Sequence, residues 1–241
     1  MKMMRRAQCA VCLAMLAVAL VWLTGASSAG SAPSPKPAKS APDATATSWK
    51  TARPSLPDWA PKHPSPEFVR AARVLKPMPL DIMKSPGRTD AENAARMKGA
   101  TIMWPAAYEF FGTLSDEQIE RFLRTQQVVV PPDQPGKPPT RMKGSQVLIP
   151  VKQLTKKRRA ALDHYFDAWR EAWKGQSVPG KPELNDCLLM LYKRGAKSDL
   201  SNVAAGFDTA ECDAGHFVSV LFRVTKRDGT TNGFGSSFAQ I

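Results

Sequence analysis

The spacing of apolar residues divides the chain into three regions. Residues 7–24 are almost continuously apolar, and residues 30–66 contain nine prolines among 37 positions without a long apolar run. From Glu67 to Ile241, apolar residues recur at helical and strand spacings between turn signals. We therefore expect a leader, a linker and one folded domain at 67–241, whose 175 residues are enough for a single core.

The first region, residues 1–29, predicts a signal peptide. Lys2, Arg5 and Arg6 precede the apolar run, and the small residues at 27–29 follow it. This order is typical of an export signal that is cleaved before Gly30. The apolar run also reaches the short limit for an uncleaved membrane anchor, which stays open as an alternative. The expected location is the periplasm, the cell envelope or the outside of the cell, with membrane attachment only if the segment is an anchor.

The second region, residues 30–66, predicts a disordered linker. Proline, alanine, serine and threonine dominate it, so it cannot bury enough apolar surface to offset the entropy of ordering. A proline-rich chain of this length reaches about 100 Å at roughly 3 Å per residue. Trp49 and Trp59 are exceptions to this composition. Because large aromatic side chains dominate packing energies, we expect Trp59 to pack back on the domain.

Capping residues predict four helices within the domain. The third is expected from about Asp116 to Arg124, with Leu114 facing Ile119 as a hydrophobic staple. The fourth is predicted to be the longest and to end at Lys174. The predicted starts are Ser65-Pro66-Glu67, Thr89 with Glu92, Ser115 with Gln118, and Thr155. Apolar residues at three-and-four spacing predict the buried face of the fourth helix: Leu162, Tyr165, Phe166, Trp169 and Trp173.

Shorter apolar and alternating runs predict strands. The first, at 128–130, ends at Pro131, and a loop of about fourteen residues is expected between it and Gly144. Gly233 and Gly235 indicate an edge or a bulge in the last strand. The fold class is therefore α+β, with a helical first half packed on a small, mainly antiparallel C-terminal sheet. The remaining predicted strands are 147–149, 187–192, a half-buried 218–224, and 230–241 after a turn at Asp228-Gly229.

The cysteines that follow the leader predict one disulfide bond. Only Cys187 and Cys212 remain after residue 29, and a lone pair in an exported protein is usually oxidised. The bond would close a loop of 26 residues and stabilise the domain by about 3.5 kcal/mol. Two buried thiols, or a reactive Cys212 with His216 as its base, remain alternatives.

Charge is the main indication of a binding partner. The formal net charge is +13 for the chain, and the domain alone has 26 Lys and Arg against 19 Asp and Glu, which leaves +7. A basic exported protein is attracted to anionic polymers or lipid headgroups, and its location argues against nucleic acid. The candidate anion contact is the run Lys156, Lys157, Arg158 and Arg159 in the first helical turn after Thr155, where the helix dipole disfavours cations and favours a bound anion.

Catalytic signals are weak. The chain has no Gly-rich phosphate loop, nucleophile elbow or dinucleotide-binding fingerprint, so we predict no catalytic residue, no metal site and no cofactor. The favoured function is a non-enzymatic domain that binds an anionic polymer or a protein partner. The alternative is a hydrolase or metal-dependent enzyme of unrecognised type. Its only candidate residues are Asp208, Glu211, Asp213 and His216, which supply oxygen and imidazole groups but match no known ligand spacing.

Overall fold

The computed structural model describes residues 48–84, 87–172, 174, 202–212 and 215–241, with only the backbone of Ser48, residues 210–212 and Phe234. The predicted signal peptide, the predicted strand at 187–192 and Gly175, which follows the predicted end of the last helix at Lys174, lie outside these residues. Within them the chain forms an α+β fold with the helices first and an antiparallel sheet towards the C-terminus, which confirms the predicted class. Its helices are α1 (Pro66–Ala72), α2 (Asp90–Gly112), α3 (Asp116–Leu123) and α4 (Lys156–Ala172). The strands are β1 (Lys76–Pro77), β2 (Gln126–Val130), β3 (Thr140–Gly144), β4 (Gln146–Pro150), β5 (Val203–Cys212), β6 (Gly215–Thr225) and β7 (Thr231–Gln240).

Among the described residues, the main sheet has five antiparallel strands in the order β1-β7-β6-β5-β4. The turn predicted at Asp228-Gly229 joins β6 to β7, with Gly229 at a φ of 82° and the Thr230 hydroxyl donating to Asp228 Oδ1 over 2.6 Å. The register of β6 and β7 shifts between Val218 and Ser219, away from Gly233. An irregularity is therefore present, although the glycines do not mark its position.

Helix α2 is the centre of the helical layer. It has 23 residues and begins with the predicted capping box of Thr89 and Glu92. The prediction that the helix after Thr155 is the longest is wrong, because α4 has 17 residues. Buried side chains surround the second half of α2 and Pro105 lies within it, so no single apolar face reveals its length. Gly112 lets α1 cross closely, since a Cβ there would lie 2.0 Å from the Glu67 carbonyl oxygen.

Aromatic side chains join the helices to the sheet. Phe207 of β5 lies 4.8 Å from Phe110 of α2, measured between ring centroids, and Phe222 of β6 lies 5.6 Å from Phe166 of α4. The face predicted for the last helix is confirmed: Leu162, Tyr165 and Phe166 are buried, and Trp169 packs against the core. Trp173 lies outside the described side chains. The core therefore lies between one face of the sheet and the helices α2 and α4.

Strands β2 and β3 form a separate two-stranded ribbon, so the prediction of a structureless loop up to Gly144 is wrong. Thr140, Arg141 and Lys143 of β3 are polar and exposed, and Met142 alone gives no apolar alternation to detect. At one end of the ribbon the Ser145 N–H donates to Thr209 Oγ1 over 2.8 Å, and at the other the Thr231 N–H donates to the Pro132 carbonyl over 2.9 Å. Thr209 of β5 and Thr231 of β7 lie towards opposite ends of the sheet, so the ribbon is attached to the sheet at two separate places.

The burial of β6 is a second difference from the sequence prediction. Strand β6 was expected to be half-buried, yet residues 217–222 are all buried without alternation. Helices cover the face that carries Phe222, while Leu221 points to the opposite face and is buried outside the main core, as is Val128 of the ribbon. A strand that is covered on both faces loses the alternation of buried and exposed positions.

Residues 48–64 form a strap against the helices. Trp49 is 5% exposed, and the Trp59 ring lies 5.2 Å from Tyr108 and 5.5 Å from Trp104. The Ser55 N–H donates to the carbonyl of Ala72 over 3.0 Å. The contact expected for Trp59 is thus present, but the linker boundary predicted at residue 66 is too late, because large aromatic side chains fix this proline-rich segment on the domain.

Candidate functional site

The four basic residues predicted as an anion contact have different surroundings. Arg158 is buried, Lys157 forms an ion pair with Glu67, and Arg159 donates to the Val151 carbonyl over 2.8 Å. Lys156 is exposed and has no ion pair among the described residues. The four cations are therefore adjacent in sequence, but three of them contact other groups of the protein. An anion contact at this turn stays a prediction, and Lys156 is its most available member.

The side chain of Arg158 caps the C-terminal end of α2. Its guanidinium donates to the carbonyl oxygen of Thr113 over 2.7 Å, to Thr113 Oγ1 over 3.3 Å and to Gln118 Oε1 over 2.8 Å. Arg70 of α1 donates to the Gly112 carbonyl over 2.8 Å and also to the Leu114 carbonyl and the Asp116 carboxylate. We call these groups the helix junction.

The helix junction satisfies groups that α2 cannot satisfy itself. The last turn of a helix leaves unpaired carbonyls and a partial negative charge, and α2 has no basic residue there. Arg70 and Arg158 supply donors and charge from neighbouring helices. Burial, and secondarily the charge of Arg70, lower the pKa of Arg158. The donors of the helix junction are therefore directed at the protein's own carbonyls.

The positive charge of the domain is concentrated in a longer segment that includes this basic run. Residues 121–159 contain ten Lys and Arg against one acid, Asp133. The rest of the domain has 16 Lys and Arg against 18 Asp and Glu, a net charge of −2. Neither the net charge of the domain nor the run of four basic residues reveals this asymmetry. A running count of charge along the sequence reveals it.

Chain geometry places these cations along one side of the domain. Helix α3 lies beside the edge strand β4, because Gln118 near its start contacts Arg158 of α4 and the carbonyl of Arg124 after its end accepts from Ser145 Oγ over 3.1 Å. The ribbon extends from the same place. Six cations here are exposed, and the described residues include no ion-pair partner for any of them. We call them the basic edge: Arg121, Arg124, Arg141, Lys143, Lys152 and Lys156.

The outer face of the ribbon carries two of these cations. Lys143 pairs with Gln127 in register, and Arg141 pairs with Val129, so directly opposite partners share one face. All four side chains are exposed, and Val129 retains 51% of its accessible surface. The inner face carries Val128, which is buried. The ribbon thus presents a mixed basic and neutral surface to the solvent.

The acidic residues nominated for an enzyme do not form one site within the described part of the chain. Glu211 pairs with His216 across β5 and β6, whereas Asp208 pairs with Ser219. His216 and Ser219 are three positions apart on β6, so the side chains of His216 and of Asp208, the cross-strand partner of Ser219, lie on opposite faces of the sheet. Asp213 lies outside the described residues, which contain no group of three potential metal ligands.

Asp208 instead belongs to a polar row that the sequence analysis missed. Gln146, Asp208, Ser219 and Ser237 face one another in register across four strands. Ser219 Oγ and Ser237 Oγ are 2.9 Å apart, and Arg223 donates to Gln146 Oε1 over 3.4 Å. Burial raises the pKa of Asp208 to about 6, although the positive charge of Arg223 opposes this shift. Strand register, which brings the row together, cannot be read from the sequence.

A second polar cluster brings a serine and a histidine to one carboxylate. Ser65 Oγ donates to Glu109 Oε1 over 3.1 Å, and His164 Nδ1 lies 3.0 Å from Glu109 Oε2. A nucleophilic serine needs a base at its own hydroxyl, whereas here Ser65 and His164 contact different oxygens of Glu109. Ser65 also accepts from the Phe68 N–H as the N-cap of α1. The cluster therefore links three helices and lacks the arrangement of a catalytic triad.

One groove, of about 560 Å³, lies between the strap and α1, and its cations are engaged by the protein. Lys50 forms ion pairs with Asp116 at 3.2 Å and Glu120 at 3.0 Å. Arg70 belongs to the helix junction, and Arg73 donates to the Lys50 carbonyl over 3.0 Å. The groove therefore offers less available charge than the basic edge.

Two further predictions lie beyond what the structure describes. Cys187 is outside the described residues and only the backbone of Cys212 is included, so the disulfide bond stays a prediction. Among the helices that the structure describes, no membrane-spanning candidate occurs. Comparisons with protein-family models, curated proteins and solved structures gave no match for this chain.

Proposed function

We propose that this chain is an exported, non-enzymatic domain that binds an anionic polymer through the basic edge. The supporting observation is the group of six exposed cations, for which the described residues offer no ion-pair partner. Local concentration of one sign of charge produces a surface potential that attracts the opposite charge. Most other charges of the domain balance one another, so this side is the favoured contact.

Binding at such a surface must be multivalent. A single exposed ion pair contributes about 0.2–1 kcal/mol and is screened by salt. A small anion that meets one or two of these cations would therefore bind weakly. A polymer meets several at once, and each additional contact becomes intramolecular once the first has formed. The basic edge consequently favours a polymeric anion over a small one.

The exported location rests on the N-terminal pattern of residues 1–29. N-terminal sequencing of the protein from the producing cells tests it, and we expect a start close to Gly30. Recovery of Met1 or Met3 would indicate an anchor instead. In that case residues 30–47 would hold the same domain at a membrane surface.

The second candidate function is an enzyme that uses Asp208. A partly buried carboxyl with its pKa raised to about 6 by desolvation is the type of group that general acid–base catalysis employs. Beside Asp208, the polar row supplies serine hydroxyls, the Gln146 amide and the Arg223 guanidinium. His216 lies on the other face of the sheet. The basic edge therefore supports polymer binding better than the polar row supports catalysis.

Matched charge-removal variants of the full-length protein test the proposal. The edge variant removes four cations that the structure leaves unpaired: R124Q, R141Q, K143Q and K152Q. The outside variant removes the same charge from exposed positions beyond the stretch 121–159: K62Q, R88Q, K98Q and R227Q. Binding to fluorescent poly(glycerol phosphate) is measured between 50 mM and 300 mM salt, with thermal unfolding as a check on folding.

We expect the edge variant to bind at least tenfold more weakly and with a flatter salt dependence, because fewer ion pairs form. The outside variant should stay within threefold of the wild type. Equal losses in the two folded variants would mean that net charge alone attracts the polymer. Absence of wild-type binding to this polymer and to other polyanions at 50 mM salt would refute the proposed function.

A further inference from the structure

The outer face of the β2–β3 ribbon has the most regular arrangement within the basic edge. Side chains two positions apart on a strand are separated by about 7 Å, and directly opposite side chains by about 5 Å. Arg141 and Lys143 therefore form a row of cations along β3, and Val129 and Gln127 form a neutral row beside them on β2. The four side chains share one exposed face of the ribbon.

We infer that this ribbon face is the primary contact with the polymer, an inference that rests on the polymer-binding function proposed above. The polymer that it takes is extended and has neutral organic units between its anionic groups. Arg141 can bind a phosphate through two parallel hydrogen bonds, and Lys143 offers a second charge along the strand. Val129 offers an apolar contact and Gln127 a hydrogen-bonding amide. Inorganic polyphosphate has no group that uses the neutral row, whereas poly(glycerol phosphate) has a glycerol unit between successive phosphates.

The attachment of the ribbon supports this role. Hydrogen bonds at Thr209 and at Thr231 fix its two ends, and buried Val128 fixes its inner face. A surface that is already ordered loses less entropy when a ligand binds. Lys137 in the connecting loop lies 3.8 Å from Asp133, so it is less available than the two cations of the outer face.

Two double variants of the full-length protein separate the ribbon from the rest of the basic edge. R141Q with K143Q removes both ribbon cations, and R121Q with K152Q removes an equal charge outside the ribbon. All four side chains are exposed and lack described ion pairs, so both proteins should unfold at the wild-type temperature within about 2 °C. Val129→Thr keeps a β-branched side chain and removes the apolar contact. Each protein is titrated with poly(glycerol phosphate) and with inorganic polyphosphate at equal phosphate concentration.

We expect the ribbon variant to lose about tenfold in affinity for poly(glycerol phosphate) and the R121Q/K152Q variant less than threefold. Val129→Thr should lower the affinity for poly(glycerol phosphate) about twofold and leave the affinity for polyphosphate unchanged. Equal losses in the two double variants would overturn the ribbon as the primary contact while the proposed function survives. Equal effects of Val129→Thr on both polymers would overturn the role of the neutral row. Absence of wild-type binding would instead refute the proposed function itself. If the ribbon variant unfolds early, K143Q alone gives the comparison with K152Q.

Discussion

The helix junction and the basic edge use the same residue types in opposite ways. At the helix junction, Arg158 is buried and its guanidinium donates to three acceptors. At the basic edge, Lys156 is only two positions away in sequence, yet it is exposed without a described ion pair. The cations of the helix junction bind the unpaired carbonyls at a helix end, whereas those of the basic edge are available to a partner. The number of charges in a segment therefore does not show how many can bind.

The largest expected effect comes from separating the strap from the helix junction. Trp49 is buried, and the Arg70 guanidinium lies 5.3 Å from its ring centroid. Trp49→Ala should lower the free energy of unfolding by about 3–4 kcal/mol, because it leaves a cavity and removes a cation–π contact. Leu56→Ala is the control in the same segment, since Leu56 is 49% exposed and should change stability by less than about 0.5 kcal/mol. Urea unfolding measures both.

If Trp49→Ala and Leu56→Ala change stability equally, the strap does not contribute to the folded domain. Residues 48–64 would then behave as the linker that their proline content predicts.

The next effect tests the helix junction itself. Arg158→Met keeps much of the side-chain volume and removes the donors to Thr113 and Gln118, so we expect a loss of about 2–3 kcal/mol. Lys156→Met should stay within about 0.5 kcal/mol of the wild type. The sequence analysis gave no reason to distinguish these two positions. Equal stability of both variants in urea unfolding would contradict the structural role of Arg158.

A smaller effect, dependent on pH, concerns the polar row. The pKa of Asp208 is raised from 3.8 to about 6, so its charge destabilises the folded state once the pH rises through that interval. Asp208→Asn cannot ionise, and it should be more stable than the wild type by about 1–2 kcal/mol at pH 8 and nearly equal to it at pH 4. Exposed Asp58→Asn is the control. Unfolding in urea at both pH values decides the question.

A lower stability of Asp208→Asn at pH 8 would reverse this conclusion. It would show that the attraction between Asp208 and Arg223 outweighs the cost of burial.

Local chemistry in the sequence predicts much of the helical layer. The capping box at Ser115 and Gln118 and the apolar face of α4 appear as expected, because both depend on residues within a few positions of each other. The length of α2 could not be predicted, since it is covered on several sides and contains Pro105. Strand β3 was missed because most of its residues are polar and exposed.

The candidate sites depend on contacts between residues far apart in sequence. Arg158 contacts Thr113 across 45 positions, and this contact removes Arg158 from the surface that the basic run suggested. The polar row requires the register of four strands. In contrast, the charge excess at 121–159 is visible in the sequence alone. The composition thus locates the basic edge, and the structure determines which cations it contains.

Hydrogen–deuterium exchange of the full-length protein, with and without poly(glycerol phosphate), tests the central claim most directly. The account predicts new protection in peptides from residues 121–152, strongest in β2 and β3. The helix junction and the strands around Asp208 should exchange as in the free protein. Protection concentrated at Asp208 and Arg223, or at the groove beside Trp49, would contradict the assignment of binding to the basic edge.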